Sequence, residues 1–308
     1  MFIEKRKEGK SIKCYLVHSY RQKDIVKKLR KYLGIDLSQE ELKKRVKETE
    51  RTIEFIIEEH NTEVFNFTLS PKQLEKLNKY DNYVQIHHLE LNWKRFTEDF
   101  VYHTNAIEGS TVESQEVKEI LENNKSIENK DEQETLNVSR AVDFIRNTRD
   151  ELSLELILKL HEICFQGTKH FAGKFRAVEV VIRNAQGEIV HRGVPVSQLQ
   201  RSLDDLISWY KKNKSKLKPL VLAAIMHNQF EHIHPFQDGN GRVGRLLLNF
   251  ILLKHKYPPI NIRLEDRIYY YKSLHEYSNN KDIKPTLKLL IKEYKRMLKQ
   301  VSTKNKKN

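Results

Sequence analysis

Apolar residues recur along most of this chain at the three-and-four spacing of helices that bury one face, and the breaks fall at capping residues. Ser38, followed by Gln39, Glu40 and Glu41, predicts a helix start whose apolar positions continue to about Ile57. Ser70-Pro71 opens another, with a capping hydroxyl and a proline in the first turn. From Tyr83 to about Ile107 the pattern is helical again through Leu89, Trp93, Phe96 and Phe100. Beyond Gly109-Ser110, helices are expected over 114–123, 132–148, 153–165 and 197–212, with Ser114, Ser153 and Ser197 as N-caps. Others follow over 219–232, 241–255 (stopped by Pro258-Pro259), 264–278 and 285–300, and Thr303–Asn308 reads as a frayed tail.

The period drops to two in two places. Phe2–Lys5 and Lys13–Ser19 are short strand candidates around Glu8-Gly9-Lys10, so the first 34 residues read as a small β unit and a basic linker. Between Ala172 and Pro195, Glu179-Val180-Val181-Ile182 and Glu188-Ile189-Val190-His191 flank Asn184-Ala185-Gln186-Gly187, a hairpin pattern. The expected fold class is mainly α with two small hairpins, and the sequence holds no internal repeat.

Composition narrows the setting. With 38% apolar and 32% charged residues in 308, the chain has the make-up of a folded protein with a highly charged surface. No apolar run approaches the roughly 20 residues of a membrane span. MFIEKRKEGK lacks the apolar stretch of a secretory leader, and Cys14 and Cys164 lie in no metal-binding pattern. A cytoplasmic protein with reduced thiols and no membrane partner is the expectation. The net charge of +14 sits at the ends: residues 1–34 hold eleven Lys/Arg against three Asp/Glu, and residues 291–308 seven against one. Solvated basic ends are the favoured reading. A nucleic-acid-contacting arm is the alternative, without a helix-turn-helix, zinc or RNA-recognition signature behind it.

Chemistry concentrates in residues 234–245, His-Pro-Phe-Gln-Asp-Gly-Asn-Gly-Arg-Val-Gly-Arg. Asp238-Gly239-Asn240-Gly241 is a tight turn opening directly into a helix whose apolar positions are Val243, Leu246, Leu247 and Phe250. Such a turn offers free backbone N–H groups to an anion. Arg242 and Arg245, three apart, share one helix face and suit phosphate oxygens. Asp238 is a hard oxygen ligand for Mg²⁺, and His234 is a candidate general base beside the turn. Phe236 is expected to face inward as an anchor. Singly, each element has a commoner explanation as a turn, a solvated helix face or an ordinary histidine; together, within twelve residues, they point to phosphate chemistry.

The run resembles, position for position, the HxFx(D/E)GNGRxxR signature of Fic proteins. That resemblance implies a Fic-type helical core with a β-hairpin flap, and a transferase that moves AMP from ATP to a protein hydroxyl on Tyr, Ser or Thr. It implies His234 as the base and Asp238 as the ligand of Mg²⁺, with Mn²⁺ as a substitute. Asn240, Gly241 and Arg242 would line the anion hole and Arg245 would take the γ-phosphate. Gly241 separates the chain from the Doc-like branch, which carries Lys there. Gly173-Lys174-Phe175-Arg176 resembles the entry to the family's flap, which places Glu179, Val180, Val181 and Ile182 on a target-docking strand. Tyr257-Pro258-Pro259, Arg263, Arg267 and Tyr269-Tyr270-Tyr271 resemble the region closing the nucleotide pocket, with Tyr271 at the adenosine end and Asn279 loosely matching a following asparagine. Thr104-Asn105-Ala106-Ile107-Glu108-Gly109 resembles the inhibitory pattern (S/T)xxxE(G/N), in which Glu108 would pair with Arg245.

The implied organisation is an N-terminal extension over 1–80, a catalytic domain over 81–300 with its inhibitory helix near 98–108, and a basic tail over 301–308. The implied partner is a protein substrate, with self-modification and homo-oligomerisation left open. Two other readings stand beside transfer: hydrolytic removal of AMP from a modified protein, and a nucleotide- or nucleic-acid-binding regulator.

Overall fold

The structure is a computed structural model that describes residues 1–22, 25–60, 62–65, 67–83, 91–183 and 186–304. It divides into two compact units, Met1–Lys76 and Leu77–Asn308.

The N-terminal unit begins with three antiparallel strands in the order β1 (Phe2–Glu8), β2 (Ser11–Gln22) and β3 (Ile25–Ile35). The stretch expected as a basic linker is therefore a third strand. Ile25, Leu29, Tyr32 and Leu33 fit a helical spacing as well as a strand, and pairing with β2 decides between them. Helix α1 (Gln39–His60) covers one face of the sheet, and Cys14, Leu16, Leu33 and Ile53 form the core between them. Ser38 and Glu41 start α1 by reciprocal side-chain bonds to each other's backbone N–H. A short hairpin absent from the sequence reading, β4 (Thr62–Val64) and β5 (Phe67–Leu69), precedes α2 (Pro71–Asn78).

The larger unit is helical. Residues 84–90, including Leu89, lie outside the described residues. The helix expected from Tyr83 is α3 (Trp93–Ile107), started by Asn92, whose side chain accepts from Arg95 N at 3.0 Å. It is followed by α4 (Ser114–Leu121), α5 (Lys130–Asn147), α6 (Leu154–Phe165), the hairpin β6 (Val181–Arg183) and β7 (Ile189–Arg192), α7 (Val196–Asn213), α8 (Pro219–Ile233) and α9 (Asn240–Lys254). A 3₁₀ turn over Leu264–Asp266 leads into α10 (Arg267–Asn280), and α11 (Lys284–Lys304) extends into the region expected to fray. Of the expected N-caps, Ser153 holds its place; Glu113 and Pro195 start the helices assigned to Ser114 and Ser197.

Helix α8 is the axis of this unit. Its Leu220–Met226 run is buried on every side, as an apolar run without a polar face must be, and it packs against α7, α9, α10 and α11. Helix α9 lies beside it and also touches α3, α5 and α6, so the segment joining α8 to α9 opens where several helices converge.

Candidate active site

His234 closes α8 in the left-handed conformation (φ +54°), which turns the chain inward so that Phe236 is fully buried. A non-glycine residue is held there at a cost, and the neighbouring bonds show how. Buried Arg176 donates to the carbonyl oxygens of His234 (2.8 Å) and Val178 (2.9 Å) and to that of Val194. Val194 N donates to Ile233 O at 3.2 Å, and Arg176 N to Pro235 O at 3.0 Å. The helix-end carbonyls of α8 are thereby satisfied largely from the segment bearing the hairpin. The ring of His234 contributes too, its Nδ1–H donating to Glu231 O at 3.3 Å. That bond fixes the tautomer and leaves the Nε2 lone pair available. Burial, with the nearby His191, pushes the imidazole pKa down to about 4, so it is neutral near pH 7.

The turn that follows is tied on both sides. Asn240 spends its side chain on Phe236, accepting from its N and donating to its O, both at 2.8 Å. The side chain of Asn240 is thus engaged within the turn and leaves only its backbone N–H to face outward. Helix α9 starts at Asn240 after Gly239, with no side-chain cap, so the first-turn N–H groups of Asn240, Gly241 and Arg242 need an outside acceptor. The aromatic ring of Phe165 lies against Gly239, where φ is +86° and a Cβ would overlap the ring.

Arg242 and Arg245 leave α9 from adjacent positions and then part, contrary to a shared grip from one face. Arg242 pairs with buried Glu134 of α5 and lies over Phe165, 4.4 Å from the ring centroid. Arg245, 1% exposed, turns to α3. Its Nε donates to Thr104 Oγ1 at 2.7 Å, and its Nη2 to Thr104 O at 2.9 Å and Glu108 Oε1 at 2.8 Å. Burial pulls its pKa down, but Glu108 and neighbouring Tyr270 outweigh that, so it is held above its ordinary value and stays charged. The Glu108 carboxylate also covers Gly241, where a Cβ would overlap it. Both the guanidinium and the mouth of the anion turn are thus occupied by one side chain.

The side chain of Asp238 is 45% exposed; its Oδ2 lies 3.0 Å from Lys169 Nζ and its Oδ1 accepts from Gly239 N at 2.7 Å. Burial raises its pKa, but Lys169 and Arg242 lower it more, leaving it ionised. Among the described residues no group of three or more His, Cys, Asp or Glu is placed to hold a metal ion.

The sequence reading missed several residues that build the site. His161 of α6 is buried, stacked on Phe236 at 3.9 Å; it accepts from Gly173 N through Nδ1 (2.9 Å) and donates to Asp238 O through Nε2 (3.1 Å). Tyr270 faces Arg245, its hydroxyl 3.4 Å from Nη1. Tyr271 is partly exposed and donates to Ile107 O at 3.1 Å, tying α10 to the end of α3. Asn279 donates to His275 on the surface. In the hairpin, Val181 and Ile182 are on β6, but Glu179 and Val180 precede it: Glu179 Oε1 accepts from Val196 N (2.9 Å) and Val180 O from Gly193 N, which anchors the base of the hairpin. Of its expected turn, Asn184 and Ala185 lie outside the described residues. A signal for Tyr270 was available in the i, i+3 period of α10; none was available for His161, whose partners stand twelve and 77 residues away.

Residues 151–252 match the Fic/DOC family. Curated relatives include protein adenylyltransferase fic-1 of Caenorhabditis elegans, 33% identical over 205 residues, which are 63% of this chain and 39% of that protein. Protein adenylyltransferase Fic of Culex quinquefasciatus is 30% identical over 236 residues, 72% of this chain and 46% of that protein. The chain spans less than half the length of these relatives. Among solved structures, a Fic-domain signalling protein from Bacteroides thetaiotaomicron superposes with a TM-score of 0.63 at 26% identity, covering 74% of this chain and 94% of that one. Fic-1 of C. elegans shares the fold with a TM-score of 0.64 at 24% identity, covering 88% and 79%.

Proposed function

This chain carries a Fic domain, and from that premise we propose that it transfers the AMP part of ATP to a protein hydroxyl and that Glu108 restrains the reaction. The observation that carries the proposal is a neutral imidazole, its Nε2 lone pair free, standing at the opening of an uncapped helix N-terminus with a buried arginine one turn further on. In the proposed step Nε2 of His234 takes the proton of the acceptor hydroxyl. The oxygen bonds to the α-phosphorus, the bond from that phosphorus to the bridging oxygen breaks, and pyrophosphate leaves with the electron pair. Backbone N–H groups of Asn240, Gly241 and Arg242 stabilise charge on the phosphates, and Arg245 takes the γ-phosphate. Asp238 suits Mg²⁺ or Mn²⁺ as a single hard ligand, ionised and partly exposed, with the remaining ligands coming from phosphate and water. Such an ion would neutralise charge on the polyphosphate.

Glu108 competes for the same arginine and for the space above Gly241. ATP binding with Glu108 in place would misplace the γ-phosphate and spoil in-line attack. The test is incubation of the wild type and Glu108→Gly with ATP labelled at the α- or the γ-phosphate. Protein labelled from the α position only, and more strongly in Glu108→Gly, is the expected result. Label from the γ position would mean phosphate transfer, and release of AMP from a modified target without labelling would mean removal; either overturns the proposal. The same assay with other α-labelled nucleotides reads base preference.

A further inference from the structure

The hairpin of β6 and β7 has only three- and four-residue strands, too short to hold an orientation in water unaided. Val181, Ile182, Arg183, Ile189, Val190 and Arg192 are all exposed. Within these two strands His191 alone is half-buried. Its Nε2–H donates to His232 O at 3.1 Å, one of the carbonyls left open at the end of α8. The carbonyl before it, Glu231 O, accepts from the ring of His234, and the one after it, Ile233 O, accepts from Val194 N. The imidazole of His191 stands 5.6 Å from that of His232 and 5.9 Å from that of His234, edge-on at 66°. One strand residue therefore touches both the helix end and the ring of the proposed base.

We propose that His191 is a positioning residue that latches the β6–β7 hairpin to the end of α8, so that the hairpin edge and Nε2 of His234 keep one fixed separation. A target segment added to that edge would then present its hydroxyl at a constant reach from the base. The use of the separation rests on the transfer reading above; the latch itself does not.

An imidazole suits the position. It supplies an N–H at the right reach and a flat ring beside two others, without a permanent charge next to the base. Burial, together with His275 of α10 and Lys281 just after it, holds its pKa below the ordinary range, and His232 and His234 face it from the end of α8. Lysine or arginine would place a fixed charge there, whereas glutamine keeps an N–H donor and stays neutral.

The test uses the full chain as wild type, His191→Ala, His191→Leu and His191→Gln, each with and without Glu108→Gly. Hydrogen exchange of residues 181–194 reads the latch. Exchange about tenfold faster in the Ala and Leu variants, the population change carried by one hydrogen bond, and near wild type in the Gln variant is expected. NMR titration of ¹³C-labelled His234 reads the contact with the base. Its midpoint is expected to rise toward the ordinary histidine value in the Ala and Leu variants as water reaches the ring. In the Glu108→Gly background, transfer from α-labelled ATP should fall in both and recover in the Gln variant, with ATP affinity unchanged throughout. Unchanged hairpin exchange in the Ala and Leu variants, or no recovery with Gln, overturns the latch. The expected exchange and titration with no label on any protein leaves the latch standing and removes the transfer reading.

Discussion

Among the described residues, the guanidinium of Arg245 meets Thr104 Oγ1, Thr104 O, Glu108 Oε1 and Tyr270 OH. Removing Glu108 leaves the other three, so Arg245 should stay in place and become free for a phosphate. Glu108 is 29% exposed at its side chain, which limits what its loss costs the fold. Glu108→Gly is therefore expected to destabilise by about 1–2 kcal/mol in urea denaturation while raising the initial rate of transfer tenfold or more. Arg245→Ala should lower the rate, and the double variant should match Arg245→Ala, because releasing a restraint is useless without the residue it held. A double variant as fast as Glu108→Gly would remove Arg245 from the reaction. His234 supports a separate expectation. With its pKa near 4 the ring is already a base at neutral pH, so His234→Ala should cut transfer by roughly 10²–10⁴-fold. ATP affinity by calorimetry should stay within about threefold, since the ring makes no part of the anion turn.

At the level of elements, the site is a junction of helix ends. Helix α9 supplies unpaired N–H groups, α8 supplies carbonyls that hold the base and the hairpin, and the end of α3 brings Glu108 against Gly241 and Arg245 of α9. His161 of α6 ties two of these parts by bonding Gly173 N, at the approach to the hairpin, and Asp238 O, in the turn before α9. Burial pushes its pKa down to about 4, which keeps the ring neutral and able to accept and donate at once. His161→Leu retains bulk against Phe236 but leaves a backbone donor and acceptor unpaired. The expected loss is about 2–4 kcal/mol of stability, with a larger fall in transfer than in ATP affinity because the Asp238 turn loses its tether. His161→Gln should recover part of both; a Leu variant with wild-type stability and rate would show that the tether is dispensable.

For the whole molecule, buried and half-buried histidines weigh in the response to acid. His161, His227, His232 and His234 are all pushed down to about 4 by burial, and His103, His191 and His255 are lowered. A depressed folded-state pKa means the unfolded chain binds more protons between about 6.5 and 4. Their stability contribution is complete above 6.5 and is lost as pH falls through that window. Glu231 and Glu293, raised to about 8 by burial, act in the opposite sense: their contribution is complete below 4.5 and is lost as pH rises toward 8. These histidines, joined as pH nears 4 by carboxylates held low such as Asp238 and Asp266, outweigh the two raised carboxyls and predict a Tm that falls as pH drops from 6.5 to 4, measurable by calorimetry in low-salt buffer. A Tm constant over that range would mean that the rings are not buried neutral.

The part of the site visible in the sequence is the part built by neighbours along the chain. His234, the glycine turn and the start of α9 lie within twelve residues, where backbone rules acting over one or two turns decide the outcome. The spacing from Thr104 to Glu108 is equally local, one helical turn on α3. The hairpin was legible in alternation, although β6 begins only at Val181, after Glu179 and Val180. The third strand was hidden because its apolar spacing suits a helix, and only pairing with β2 settles it. Partner choice belonged wholly to the tertiary structure. Glu134 meets Arg242 across 108 residues of sequence, His161 meets Asp238 across 77, and Thr104 meets Arg245 across 141. Asn240 turned its side chain to Phe236, and Tyr270 met Arg245 from 25 residues away. Local sequence fixes which groups a turn or helix end presents; which group each then meets depends on how α3, α5, α6, α8 and α9 converge, and that is set by the burial of all their apolar faces at once.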